Sequence, residues 1–291
     1  MSNAYDLMEH GAAQEQQPQG GFDKESWAQR KRQEREGVFA LADETALRLN
    51  ADAGARKGYA ATMAALPTHS ATNVLLVYAQ RPGAQRLGDS AFWSQNGASI
   101  KKGERGISIL EPGREYVRED GSIGNFYDVK KVFDVSQTTA RERLGRRNDP
   151  SDVLAALVMR SPVAIEPQDA PVEGSVKYDS ARDCILVERG LGDKQLLDGL
   201  LIEQAHASMA NGDRSYDRAA HEPQALLAAN VVAKRFGLEG PDIDIPPFAG
   251  HDADARDVRN ALNDARSASL DVASRVGEAL AKSRNRDEMI R

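Results

Sequence analysis

The chain has 291 residues, 41% of them hydrophobic and 28% charged, with a net charge of −6. That composition suits a soluble globular protein of up to two ordinary domains and excludes a chain coated in cations, while leaving room for a local basic patch. Its single cysteine, Cys184, excludes an intrachain disulfide and a cysteine-based zinc knuckle, and the absence of any run of about 18 apolar residues excludes a membrane-spanning helix.

Residues 1–21 are rich in Gln, Gly and Ala without a period, which predicts a disordered tail. They lack the basic and apolar regions of a signal peptide, and with the lone cysteine this points to a reducing, cytoplasmic setting. Asp23 can cap a first helix running to about residue 50, which carries the basic run Lys31 to Arg35 and is open to a break at Gly37. A second helix over 55–66 stops before Pro67. Ser70 can cap a third, through about Gln80, whose Val74, Leu75, Leu76, Val77 and Tyr78 are apolar nearly all round and so call for burial on most sides.

A short element around Trp93 follows, then a loop of Lys101, Lys102, Gly103, Glu104, Arg105 and Gly106, and then the strand ISILEP. The segment from Arg114 to Val135 reads as a hairpin around an Asp120-Gly121 turn, with Lys131 on the face of Tyr127, Val129 and Phe133 and Lys130 on the other. A helix is expected over 152–160, then a linker that includes IEPQDAPVEG. The second unit opens with VKYDSARDCILVE, two β-prone runs around a turn. Helices over 193–209 and 223–236 follow, the latter closing on Gly237, and a long polar helix over 253–283 ends the pattern with one face able to dock.

Four blocks, SATNVLLVYAQRPGA (70–84), the pair Phe92-Trp93, KKGERGISILEP (101–112) and VFDVSQT (132–138), stand in an order and spacing that resembles the N-terminal domain of ArdC-type antirestriction proteins, which plasmids and conjugative elements carry. The resemblance covers roughly residues 25–140. It implies a module of mixed α/β structure that binds single-stranded DNA. The basic pair usual in that family after the tryptophan is replaced here by Gly97-Ala98-Ser99.

Local charge is compatible with that implication. Residues 70–147 hold 13 Lys/Arg against 9 Asp/Glu, an excess of four inside an acidic protein. Cations that replace condensed counterions, and rings on which bases stack, are what an unpaired strand needs. Arg81, Arg86, Lys101, Lys102, Arg105, Lys130 and Lys131 are the candidate phosphate contacts. Trp93, with Tyr116, Phe126 and Tyr127, is a candidate stacking ring; the alternative for Phe92 and Trp93 is a place in the core.

The resemblance also implies a zinc-metallopeptidase-like second unit. A helix of that kind needs two His one turn apart with Glu between them. This chain reads Ile202-Glu203-Gln204-Ala205-His206, so an apolar side chain stands at the first ligand position. Depending on register, Glu222 or Leu226 falls on the third, and His221 or Asp217 is a remote substitute. Glu203, His206 and Glu222 thus form a degenerate motif: no catalytic residues, no metal and no zinc or other cofactor are expected.

The expected fold is α+β in two domains. A helical and β-hairpin domain spans 22–147 and a zincin-like helical domain with a small β-hairpin spans 175–291, joined by a linker over 148–174. The expected function is that of a non-enzymatic, cytoplasmic accessory protein of antirestriction type from a mobile element. Its expected partner is single-stranded DNA, with a host or element-encoded protein as a further candidate and no membrane. Two other functions stay open, a zinc metallohydrolase with a rearranged site and a protein-binding anti-defence factor that does not touch DNA.

Overall fold

The computed structural model describes residues 23–117, 121, 123–141, 147–250 and 252–290. The expected tail and Asp120 of the expected hairpin turn lie outside the described residues.

Helix α1 (Lys24–Ala51) begins at Asp23, whose carboxylate accepts the Glu25 amide. It runs unbroken through Gly37 because its inner stripe, Val38, Ala42, Ala46 and Leu49, is fully buried and outweighs one weak propensity. Asp52 caps α2 (Ala53–Ala65), and Ser70 caps α3 (Ala71–Gln80), in which Val74 to Val77 have almost no exposure.

Strand β1 (Leu87–Gly88), helix α4 (Ser90–Gln95), β2 (Ile107–Val117) and β3 (Ile123–Asp134) complete the front half. The sheet order is β1-β3-β2, with β2 and β3 antiparallel from Ile107↔Val132 to Pro112↔Tyr127 and a register shift before Glu115↔Asn125. The outer edge of β2 is capped by two side-chain amides of α3. Asn73 exchanges two hydrogen bonds with the backbone of Leu110 (2.8 and 2.9 Å), and Gln80 does the same with Ser108 (2.9 Å each). These polar residues in an otherwise apolar helix take the place of a neighbouring strand.

The segment 148–174, expected as a linker with a helix over 152–160, holds that helix and a strand as well. It contains α5 (Pro150–Met159), capped by Asp149, and β4 (Ala164–Gln168), which pairs in parallel with β6 (Cys184–Glu188). Strand β5 (Val176–Asp179) lies antiparallel on the other side of β6, so the expected hairpin forms two strands of a three-stranded sheet with β6 at its centre. A short edge strand carrying Pro167 and polar residues reads as loop in sequence, because an edge needs neither a full ladder nor an apolar pattern.

Helices α6 (Asp193–Ala210), α7 (Glu222–Arg235) and α8 (Ala255–Ile290) form the rear half. The inner face of α8, with Val258, Leu262, Ala265, Val272, Val276 and Leu280 buried, confirms the docking expected from its spacing. One continuous apolar cluster joins α2 and α3 of the front half to α6, α7 and α8. Polar stitches accompany it: buried Arg56 donates to the carbonyls of Ile245, Leu49 and Asn50, and Arg266 donates to those of His69 and Pro67.

Candidate functional site

Several residues of the sequence blocks hold the front half together. Asp134 is 1% exposed and accepts the amides of Gln85, Arg86 and Ser136 (2.8–3.0 Å) and the Ser136 hydroxyl. Burial alone would raise its pKa, but those four donors outweigh it and hold the carboxyl below its ordinary range. Gln137 completes a capping box with Asp134 and donates to Glu104 and to the Arg105 carbonyl, which fixes the Lys101–Gly106 loop. Trp93 is 1% exposed, packs with Ala98 and Val135, and donates Nε1–H to the Phe133 carbonyl at 3.0 Å. It cannot stack on a base. Gly88 is required beside it, since a Cβ there would sit 2.1 Å from the Phe92 ring.

The seven candidate cations divide. Arg81 donates to Ser136 Oγ and lies 3.5 Å from Glu104, and the Arg86 guanidinium lies over the Phe92 and Trp93 rings at 5.3 and 5.5 Å. Both brace the knot around Asp134. Lys130 is neutralised between Asp89 and Glu111 (3.4 and 3.0 Å), and the hydrogen bonds it donates to Glu111 and Asp89 hold its pKa up. Lys101 donates to the Ser136 carbonyl but stays exposed, as do Lys102, Arg105 and Lys131.

Strand alternation puts Lys131 on the face opposite Lys130, with Tyr127 and Phe133. Lys131 stands there beside Gly106 and donates to the Ser108 hydroxyl at 2.6 Å, and helix α1 reaches the same face. Arg35, from the basic run of α1, donates to the Tyr127 carbonyl at 3.3 Å, and Glu34 lies 3.9 Å from Lys131. Tyr127 is 38% exposed and meets Phe39 edge-on. The exposed rings of Tyr116 and Phe126 pair with each other at 4.6 Å, and alternation assigns Phe126 to the Lys130 face. The predicted rim is therefore two faces: on one Lys130 is held between two carboxylates, and on the other Lys131 has, among the described residues, only the longer ion pair with Glu34. In sequence the run from Lys31 to Arg35 of α1 could meet phosphates but reads more readily as a solvated helix face, and it is not among the seven candidate contacts.

In the rear half, spacing did bring the motif together. Glu203 and His206, both on α6, are 2% and 0% exposed, and Glu222 at the start of α7 reaches His206 Nε2 at 3.2 Å. Glu222, not Leu226, is the acidic neighbour. A carboxylate accepts, so Nε2 carries the imidazole proton, and Nδ1 accepts from the Tyr216 hydroxyl at 2.9 Å. His221 donates from Nδ1 to the Asp217 carbonyl and stacks on Tyr216, while the Asp217 carboxylate accepts the amides of Ala219 and Ala220. Ile202 is buried and apolar.

Arg218, which sequence reasoning missed, bridges the two acids. Its Nη2 and Nε donate to the two oxygens of Glu203 (2.5 and 3.2 Å), and its Nη1 donates to Glu222 at 2.8 Å. Burial alone would lower the guanidinium pKa, but the hydrogen bond and charge of Glu203, with the charge of Glu222, raise it. The hydrogen bond from His206, with the Arg218 charge, holds Glu222 below its ordinary range against burial. Glu203 also accepts the Tyr178 amide of β5 at 2.8 Å.

Among the described residues, no three His, Cys, Asp or Glu side chains are grouped so as to hold a metal ion. A cleft of about 510 Å³ is lined by Ser208, His221, Asp264 and Asp271 among others, and none of Glu203, His206, Arg218 or Glu222 borders it. Cys184 is buried in β6, and burial with the nearby Glu166 pushes its thiol pKa up, as expected of an inert structural thiol. No helix among the described residues is long and apolar enough to cross a membrane.

No protein-family model matches this chain, and no curated protein does. Among solved structures it is similar to the antirestriction ArdC protein from the R388 plasmid in two forms. The metal-free form is 20% identical, covering 74% of this chain and 86% of that one, with a TM-score of 0.45. The Mn(II)-bound form is 19% identical, covering 73% and 89%, with a TM-score of 0.48.

Proposed function

We propose that this protein is an antirestriction-type accessory factor of a plasmid or related element that binds single-stranded DNA with its front half and uses its rear half as a non-catalytic scaffold. The four sequence blocks support the type. The observation that carries the binding reading is that Arg35, hydrogen-bonded to the Tyr127 carbonyl, and Lys131, from two distant segments, accompany the exposed ring of Tyr127 on β3, with the exposed Arg105 in the loop that leads into β2. Such a face offers charges that displace counterions and a ring that accepts a base irrespective of sequence.

The test is a titration of a labelled single-stranded oligonucleotide, against a duplex of the same length, at two salt concentrations. Single strands should bind more tightly, and added salt should weaken them. Lys131→Ala and Arg105→Ala should each flatten the salt slope by about 0.7. Tyr127→Ala should weaken binding roughly 5- to 150-fold. Lys130→Ala, on the neutralised face, should leave it unchanged. Equal affinity of wild type and all of the first three variants would remove the assigned face.

A protein-binding factor that does not touch nucleic acid is the second reading, favoured by the net charge of −6. Capture of the same host protein from nuclease-treated lysate, with no oligonucleotide binding at low salt, would select it.

A further inference from the structure

The geometry points to Arg218 as the resident cation of the rear site: its guanidinium takes the place a divalent metal would need between Glu203, His206 and Glu222, so the rear half folds without metal and rejects it. The inference is independent of the DNA-binding reading.

The residues present do not fit a zinc or manganese ion, on three counts. Ile202 has no donor atom where the helix would have to supply one. His206 Nε2, the nitrogen that faces Glu222, spends its position as a donor, whereas a metal needs that nitrogen bare. Both carboxylates are already engaged by a cation, Glu203 through a two-point fork and Glu222 through a single bond.

The remaining hydrogen-bonding positions close the circuit. Glu203 has its third bond from the Tyr178 amide, and His206 has its second from Tyr216. An incoming metal would have to expel Arg218, deprotonate His206 at Nε2, and leave a guanidinium whose side chain is only 32% exposed without its partners. Arginine suits this post better than lysine. Its charge cannot be titrated away, its hydration is weaker, and its planar fork spans both oxygens of one acid while a third nitrogen reaches another.

The experiment is thermal unfolding of the full chain with a chelator, with zinc alone and with manganese alone, alongside metal analysis of protein purified without chelator. Wild type should carry less than about a tenth of an equivalent of metal, and its Tm should move by no more than about 1 °C in any of the three conditions. Arg218→Ala should lower Tm by roughly 5–10 °C, and Arg218→Lys should recover only part of that. The double variant Ile202→His with Arg218→Ala should gain a zinc-dependent rise in Tm that wild type lacks. Stoichiometric metal in wild type, or a rise in its Tm with either ion, would overturn the inference without any variant having to fold. So would an Arg218→Ala protein as stable as wild type.

Discussion

Asp134 in the front half and Glu203 in the rear are the two acidic side chains buried among the described residues, at 1% and 2% exposure. They are satisfied by different means. Asp134 is surrounded by dipoles: three backbone amides and a hydroxyl, all from its own half. Glu203 has one backbone amide and relies for the rest on Arg218, a charge carried by a separate loop. A carboxylate held by backbone fastens the chain where it is. One held by a side chain depends on a partner that a single codon can remove.

Substitution of Asp134 should therefore have the largest effect. Asp134→Ala leaves three amides without their acceptor and detaches the 84–86 turn from the end of β3, for a loss of about 3–5 kcal/mol in denaturant unfolding. A loss below about 1 kcal/mol would show that water replaces the carboxylate easily and that the contrast with Glu203 is false. Glu203→Gln should cost less, about 2–3 kcal/mol, because the Tyr178 amide keeps an acceptor and Arg218 keeps Glu222 and some access to solvent.

The smallest effect concerns acid. The folded-state pKa of Glu222 is depressed by the His206 hydrogen bond and the Arg218 charge, so the stability it contributes is complete above its unfolded value of 4.5 and is lost as pH falls through the lower folded value. Glu222→Gln should thus narrow the difference in urea midpoint between pH 7 and pH 3.5, and only modestly, since its side chain is 31% exposed. Asp134, also depressed, should leave most of the acid sensitivity in place in that variant. An unchanged difference would mean that Glu222 contributes nothing through Arg218.

Much of the fold was legible because periodicity and caps act locally. Asp23 and Ser70 cap the helices that follow them, and the inner stripe of α8 follows its helical spacing. The pairing of His206 with Glu222 was legible in part: the resemblance put Glu222 or Leu226 opposite the helix, and Glu222 is the one that meets His206. What stayed hidden depends on distant partners. Trp93 reads as available for stacking, yet the Phe133 carbonyl forty residues away accepts its N–H, and Ala98, Val135 and Phe133 enclose it. Arg218 sits in a polar loop that reads as solvated surface; its only local hint is Glu222 four residues on. Strand β4 was taken for linker because its partner, β6, pairs with it in parallel across a gap in sequence.

The amides of Asn73 and Gln80 have a consequence for how copies of this protein meet. By posing as a neighbouring strand along Ser108 and Leu110, they leave that stretch of sheet nothing to offer a second molecule. A helix thus guards the chain against templated self-association, and it does so with two uncharged side chains that leave the charge of the surface untouched.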